Sequence, residues 1–533
     1  MKTHLTVFIA VCVMLFAFTA PAATFYVDVN TTNPVPPYAD LTTAAAAIPD
    51  AVDAATNGDL ILVNDGVYQD EFRTNAELAG LTQQKIWVTN RVMLAKAVTV
   101  QSLNGPSAAF INGSGIYRCV YVTNGATLNG FTLMNGAAGW ISTTTYLGRN
   151  ITTTNLCYGG GVTGSSGPIY FRGGVVTNCV LVGNTATAGG GGAYLVTLIN
   201  CILTNNSATS GGGAYDSTLI NCIVTGNSAA TSGVIYNGPL APSLPVGAGG
   251  GICSGAAINC LFVGNTAFQG GGVWSAANLA GCTVVNNSAS FYGGIGQIAS
   301  SLPSRPYLYN LATNCIVYFN SAATNDNWGG TNLTFDHCCT LPLPAGGLGN
   351  FTNDPAFVDY AGGDFHLQSN SLCINSGRNS AVTTSTDLDG DPRIVAGTVD
   401  IGAYEYQTPA SVISYAWLQQ YGFPTDGSAD YADYDGTGMN NWQKWIAGLN
   451  PTNALSVFKM TSAVPETYQN WVIVKWQSVD TRTYFLQRST NLASPAGFST
   501  IQSNIVGMSG TTISMDNTAT NGGPYFYRVG VQQ

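Results

Sequence analysis

Residues 189–229 read GGGGAYLVTLINCILTNNSATSGGGAYDSTLINCIVTGNSA. One unit is written there twice. Gly-Gly-Gly-Ala-Tyr at 190–194 and 211–215 leads into Leu-Ile-Asn-Cys-Ile, and an asparagine follows each cysteine by five residues. Outward from this pair, cysteines recur at Cys179, Cys201, Cys222, Cys260, Cys282 and Cys315, in steps of 22, 21, 38, 22 and 33 residues. Each has its asparagine five residues on: Asn184, Asn206, Asn227, Asn265, Asn287 and Asn320. Asparagine also stands immediately before most of them, at 178, 200, 221, 259 and 314. Glycine runs fill 189–192, 211–213, 249–251 and 270–272. The longer steps are the same unit with a loop inserted, as around 231–248.

A period near 22 residues signals a solenoid. The unit has no leucine ladder and is too short for a helical repeat. It holds brief β-rich runs, such as Cys201-Ile202-Leu203-Thr204, broken by Asn and Gly. Those residues supply the turns. The unit is therefore one coil of a right-handed parallel β-helix, a pectin-lyase-like solenoid in an all-β chain. Stacked coils repeat at about 4.8 Å, the usual inter-strand spacing, so equivalent residues stack on themselves. A cysteine column suits the interior as a small hydrophobe. An asparagine column suits the turns, because it bonds along the axis and tolerates left-handed backbone. Twelve cysteines outside the first 23 residues raise the question of disulfides. Spacing equal to the coil period points to stacked free thiols. Cys119, Cys157, Cys338, Cys339 and Cys373 fall outside that register and leave room for a disulfide.

The Gly-Gly-Ala-Tyr blocks and Phe262-Val263-Gly264-Asn265 resemble the repeats of polymorphic outer-membrane proteins over roughly 157–330. Most copies here replace the repeat's Phe by Leu or Val, and the barrel that ends those proteins has no counterpart here. Further on, Asp387-Leu388-Asp389-Gly390-Asp391-Pro392-Arg393 and Val399-Asp400-Ile401-Gly402-Ala403-Tyr404-Glu405 resemble the choice-of-anchor segment (Q type) of secreted bacterial β-helix proteins. Together these resemblances imply a β-helical protein of the cell surface.

Four parts follow along the chain. Residues 1–23 read as a cleaved signal peptide: Lys2, an apolar run from Leu5 to Phe18, then Ala20-Pro21-Ala22. Residues 24–408 carry the β-helix and its ends. There Phe25-Tyr26-Val27-Asp28 opens as a strand and Leu41 to Ala55 is expected to form a capping helix, which shields the open strand edges. Residues 409–454 form a helical linker, with a helix expected from Asn440 to Ala447. Residues 455–533 alternate as strands do, at Val472, Val474 and Trp476, then Tyr484 and Leu486, then Tyr525, Tyr527 and Val529. They predict a small antiparallel β-sandwich.

Composition narrows the chemistry. Charged residues make up 8% of the chain, against roughly 25% in ordinary proteins. With 17 basic residues and a net charge of −10, a nucleic-acid groove is excluded. From Gly173 to Ser304 one charged side chain occurs, Asp216, and no His, Lys or Arg. General acid–base catalysis needs positioned titratable groups, and those coils lack them. Twelve acids gather between Asp354 and Asp435 instead, with Arg378 and Arg393 the positive charges among them. Asp387, Asp389, Asp391, Arg393, Asp400 and Glu405 are the catalytic candidates if the chain is an enzyme. The other reading makes them turns that close the helix.

A metal candidate begins at Asp433. Asp433, Asp435, Thr437, Met439 and Asn441 occupy the first, third, fifth, seventh and ninth places of a loop resembling an EF-hand or dockerin Ca²⁺ loop. Its twelfth place holds Lys444, where that loop needs a bidentate carboxylate, so affinity is weakened or lost. Tyr194, Tyr215 and Trp274 recur after glycine runs and form either a sugar-stacking ridge or a lid over the core. The reading reached is an exported, non-enzymatic surface or extracellular protein for adhesion, display or glycan contact. No membrane span and no nucleic-acid partner are expected in the mature chain. The alternative is a polysaccharide lyase or glycoside hydrolase working through the acidic coils.

Overall fold

The computed structural model describes residues 22–79, 84–139, 141–146, 149–154, 157–165, 173–229, 247–276, 278–297, 310–331, 333–466, 471–493, 497–519 and 523–532. Residues 1–21 of the expected signal peptide lie outside the described residues. No helix among them is long and apolar enough to cross a membrane.

The shaft is a parallel β-helix of three sheets. One coil shows the construction: strands Ala193–Tyr194 and Thr197–Ile199 lie in the first sheet, Ile202–Thr204 in the second, Ser207–Ser210 in the third. Short apolar runs make the strands, and left-handed residues turn the corners. The corner before the cysteine column uses Asn178, Asn200, Asn221, Asn259 and Asn314, all with φ between 51° and 55°. Asparagine is among the few residues that enter this region readily. Gly281 and His337 take the same corner in their coils. Glycine is demanded where coils touch: a Cβ on Gly213 would sit 2.6 Å from the Gly251 carbonyl.

The second sheet fixes the register. Val180, Ile202, Ile223, Leu261, Thr283, Ile316 and Cys339 pair in turn, all parallel. The preceding residues therefore stack as Cys179, Cys201, Cys222, Cys260, Cys282, Cys315 and Cys338. All seven are buried and unbonded. Cys338 thus belongs to the column, not outside it. Burial pushes the Cys179 thiol up to about 12, which keeps it protonated and inert. No disulfide forms among Cys119, Cys157, Cys339 and Cys373 either.

The asparagine column is a continuous hydrogen-bonded ladder. Each Nδ2 donates to the next Oδ1, from Asn184 through Asn206, Asn227, Asn265, Asn287 and Asn320, at 2.9–3.0 Å. Each Oδ1 also accepts the backbone N–H of the residue below. Asn327 extends the ladder by one step at 3.1 Å. It follows Asn320 by seven residues and so escaped the sequence period.

The ends differ from the sequence expectation. The capping helix is Ile48–Ala54 rather than 41–55, with Ile48, Pro49, Ala51 and Val52 buried. Pro49 fixes its first turn, and Asp40 holds Thr42 and Thr43 in a turn ahead of it. The last strand of the shaft is Cys339–Thr340. Beyond it Phe351 still bridges Cys339 in parallel, and the described residues that follow to 408 add no further strand to the shaft. They fold back over the outer face of the second sheet as a cover. Phe357, Phe365, Leu367, Cys373, Ile374, Ile401 and Tyr415 pack there on Leu261, Val285, Ile316 and Cys339. Asn259 donates to the Thr386 carbonyl at 3.3 Å, and the Ala403 N–H to Thr283 Oγ1 at 3.0 Å.

The linker contributes helices Tyr415–Gln420 and Asn441–Ala447, the second opened by an Asn440–Gln443 capping box. The C-terminal unit is two three-stranded antiparallel sheets. Val472, Val474, Trp476, Tyr484 and Leu486 form its core. Arg488, paired with Asp516 at 2.7 Å, ties one sheet to the other.

Candidate functional site

The acidic candidates separate into two groups. Asp387, Arg393, Asp400 and Glu405 are buried, each no more than 5% exposed. Their oxygens are already engaged. Asp387 accepts the backbone N–H groups of Asp389, Asp391 and Glu405. Asp400 accepts those of Asn375 and Tyr406 at 2.7 and 2.6 Å. Glu405 accepts Arg393 Nη1 at 2.8 Å together with the N–H groups of Val395 and Asp400. Arg393 spends its other Nη on the Asp400 and Gly402 carbonyls. Burial pushes Asp400 up to about 7 and, with Asp400 beside it, Glu405 up to about 8, against the pull of Arg393. This group holds the cover's turns together.

Asp389 and Asp391 remain at the surface. Asp389 joins His366, which is not among the candidates read from the sequence. His366 places Nε2 2.6 Å from Asp389 and Nδ1 2.5 Å from Asp364, and its ring lies 4.2 Å from that of Tyr404. An imidazole facing a carboxylate at both nitrogens donates from both, which is the imidazolium form. Burial opposes that charge, but the bonds to Asp389 and Asp364 outweigh it and raise the His366 pKa. The geometry clasps the hairpin 357–367 to the Asp387–Asp391 turn. Nothing in the sequence spacing of 364, 366 and 389 signals it.

The Ca²⁺-like loop contains its own cation. Lys444 is 1% exposed and its Nζ contacts an oxygen of Asp435. Thr437 Oγ1 donates to the other Asp435 oxygen at 2.8 Å. Asp433 accepts the N–H groups of Thr437 and Gly438. Asn441 opens the helix and donates to the Ala429 carbonyl. So all four carboxylate oxygens of Asp433 and Asp435 have partners, and the Asn441 amide is bonded to the Ala429 carbonyl. These residues do not fit a Ca²⁺ shell as they stand. Among the described residues no group of three or more His, Cys, Asp or Glu side chains is arranged to hold a metal.

The recurring aromatics stack mainly on one another. Tyr158 lies on Tyr194 at 4.4 Å, Tyr194 meets Tyr215 at 5.9 Å, and Trp274 meets Tyr292 at 6.1 Å. Tyr215 and Trp274 are 8% and 5% exposed. Their faces close a satellite core with Ala248 and Cys253, so the ridge of the sequence reading is a lid.

No family model and no curated protein matches the chain. Among solved structures it is similar to pectate lyase Pel9A, at 14% identity and a TM-score of 0.40, over 72% of this chain and 97% of that one. A rhamnogalacturonan lyase is similar at 12% and 0.32, over 70% of this chain and 95% of its own. A pectin methylesterase is similar at 9% and 0.28, over 63% and 94%.

Proposed function

We propose that this chain is an exported, non-catalytic β-helix protein that works at the cell surface or outside the cell in adhesion, display or glycan contact. The engagement of the buried acids by backbone N–H groups supports it most directly. Four of the six candidates for catalysis are committed to holding the cover in place, and the repeat coils are almost free of charge. On this reading the polymorphic-protein-like repeats build a rigid shaft, and the choice-of-anchor-like segment seals its outer face. The test is incubation of the full chain with pectate, xylan and β-glucan, followed by assays for unsaturated and reducing ends. No release is expected. Release that disappears with Asp389→Ala or His366→Ala would establish the lyase or hydrolase reading instead, because those side chains form the exposed acid–histidine group. Cell fractionation tests export: the mature chain belongs outside the cytoplasm.

A further inference from the structure

We propose that the C-terminal sandwich carries a binding cleft for a neutral glycan, in which the Trp471 indole stacks on a sugar ring flanked by the amides of Gln502 and Asn517. This rests on the reading of the chain as a glycan-contacting protein and gives that contact a place.

The cleft arises from the edges of the two sheets. Strand Gly510–Asp516 is an edge of one, and Ser499–Val506 is an edge of the other. Along the first, Thr512, Ser514 and Asp516 turn inward and are buried, while Ile513 and Met515 turn outward at 52% and 55% exposure. Val472 pairs with Asp516, so Trp471 and Asn517 meet one rung further on. Gln502 crosses from the other sheet and accepts the Ser514 hydroxyl through Oε1. The space between has a volume of about 270 Å³, walled by Trp471, Ile505, Ile513 and Met515 and edged by Gln502, Ser514 and Asn517.

These parts suit a sugar. Ligand pockets run from roughly 300 to 1,000 Å³; at about 270 Å³ this open cleft is smaller and takes part of a chain that passes through its sides. Indole presents a broad apolar face to the C–H side of a pyranose. An amide offers donor and acceptor together, as paired hydroxyls require. Among the described residues the Asn517 amide and Gln502 Nε2 have no hydrogen-bond partner. Among the described residues no charged side chain lines the cleft, although Lys475 stands beside its wall as the cross-strand partner of Ile513. The lining itself offers a uronate no cation, which favours neutral sugars. The shaft aromatics, by contrast, are mostly turned against each other.

Titrate the full chain with xylohexaose, cellohexaose, mannohexaose, laminarihexaose and hexagalacturonate, by calorimetry and tryptophan fluorescence. At least one neutral hexasaccharide is expected to bind and shift the emission, and the hexagalacturonate is not. Trp471→Ala should weaken binding roughly tenfold or more. Asn517→Ala, an exposed change that leaves the core intact, should weaken it severalfold, and Trp471→Phe should keep part of it. Binding untouched by Trp471→Ala and Asn517→Ala in folded protein overturns the cleft and leaves glycan contact elsewhere. Binding by none of the five overturns cleft and reading together. A concentration-dependent dimer dissolved by Ile513→Lys would make this edge an interface between copies, which also overturns the proposal.

Discussion

Asn227 Nδ2 donates to Asn265 Oδ1 at 3.0 Å across 38 residues of chain, and Asn206 makes the same bond to Asn227 at 2.9 Å across 21. The longer connection therefore leaves the coil spacing unchanged. Ile223 still pairs with Leu261, and Cys222 still lies on Cys260. Sheet pairing and ladder keep one register whatever the connection length.

Asn227→Ala tests this directly. The variant removes the acceptor for two donors, the Asn206 N–H and Nδ2. It also strips the Leu203 carbonyl of its bond from Asn227. Each orphaned buried group costs about 1–3 kcal/mol, so the three together give an expected loss of about 3–9 kcal/mol in urea unfolding of the full chain. Asn227→Asp keeps the acceptor but loses the donor and buries a charge, and should be no milder. A loss under about 0.5 kcal/mol for both would show that water or backbone replaces the ladder.

The corner residues separate backbone strain from hydrogen bonding. Asn200 has φ 53° and donates to Asn178 at 3.3 Å. Asn200→Gly keeps the conformation and should cost little. Asn200→Val should cost about 1–2 kcal/mol or more, since a β-branched residue resists left-handed backbone. Equal melting of the two variants would argue against strain as the reason for asparagine there.

The shaft was legible because stacking makes identical neighbours necessary: a residue type that works in one coil works in the next. The readable signal stopped where that repetition stopped. Cys338 follows His337 rather than an asparagine, and Asn327 comes too soon after Asn320. The cover was hidden for another reason. Its ties to the shaft, such as Asn259 to Thr386 across 127 residues, leave no local pattern. The acids between 387 and 405 were visible as a cluster. Whether they faced solvent or each other depended on which backbone N–H groups reached them. Lys444 was visible as a mismatch, but its burial on Asp435 was not.

Arg393 balances the buried acids of the cover. Its loss leaves Asp400 and Glu405 without a cation. Breaking a buried pair in this way costs about 3–5 kcal/mol. Arg393→Ala should free the cover, read as new proteolytic cuts within 385–410 while the shaft stays resistant. Arg393→Lys should rescue part of the effect, because one ammonium reaches Glu405 but not both carbonyls as well. Unchanged proteolysis would show that the apolar contacts alone hold the cover.

The same region should loosen as pH rises. His366 has its pKa raised by its two carboxylates. A raised folded pKa contributes stability that is full below the unfolded value of 6.5 and is lost as pH climbs through the folded value. Asp400 and Glu405, pushed up to about 7 and about 8, act in the same direction between their unfolded values and those pH values. Asp364 opposes at the acid end, because bonds to His366 lower its pKa. Melting of the cover should therefore be highest at about pH 4, near the unfolded values of Asp400 and Glu405, and fall toward pH 9. In His366→Gln the fall should be shallower. An identical pH profile in that variant would remove the clasp from the account.

Lys444 gives the last test. Its ammonium stands on Asp435 inside a loop whose frame resembles a Ca²⁺ site, and both side chains are buried. Ca²⁺ takes six to eight oxygens, two of them from the twelfth residue. Here that residue brings a positive charge and no oxygen. Millimolar Ca²⁺ should leave the melting of the natural chain unchanged. Lys444→Met leaves Asp435 buried without its cation and should destabilise the linker. Lys444→Glu removes the internal cation and supplies the missing oxygens, so its stability should depend on Ca²⁺. Ligand at 100 times its Kd stabilises by about 2.7 kcal/mol, which a melting curve resolves. If Lys444→Glu ignores Ca²⁺ while Lys444→Met is destabilised, the loop is a structural ion pair and its resemblance to a metal site is one of backbone shape. If the natural chain binds Ca²⁺ with micromolar affinity, Lys444 swings out of the loop, and the ion pair seen here is one of two states.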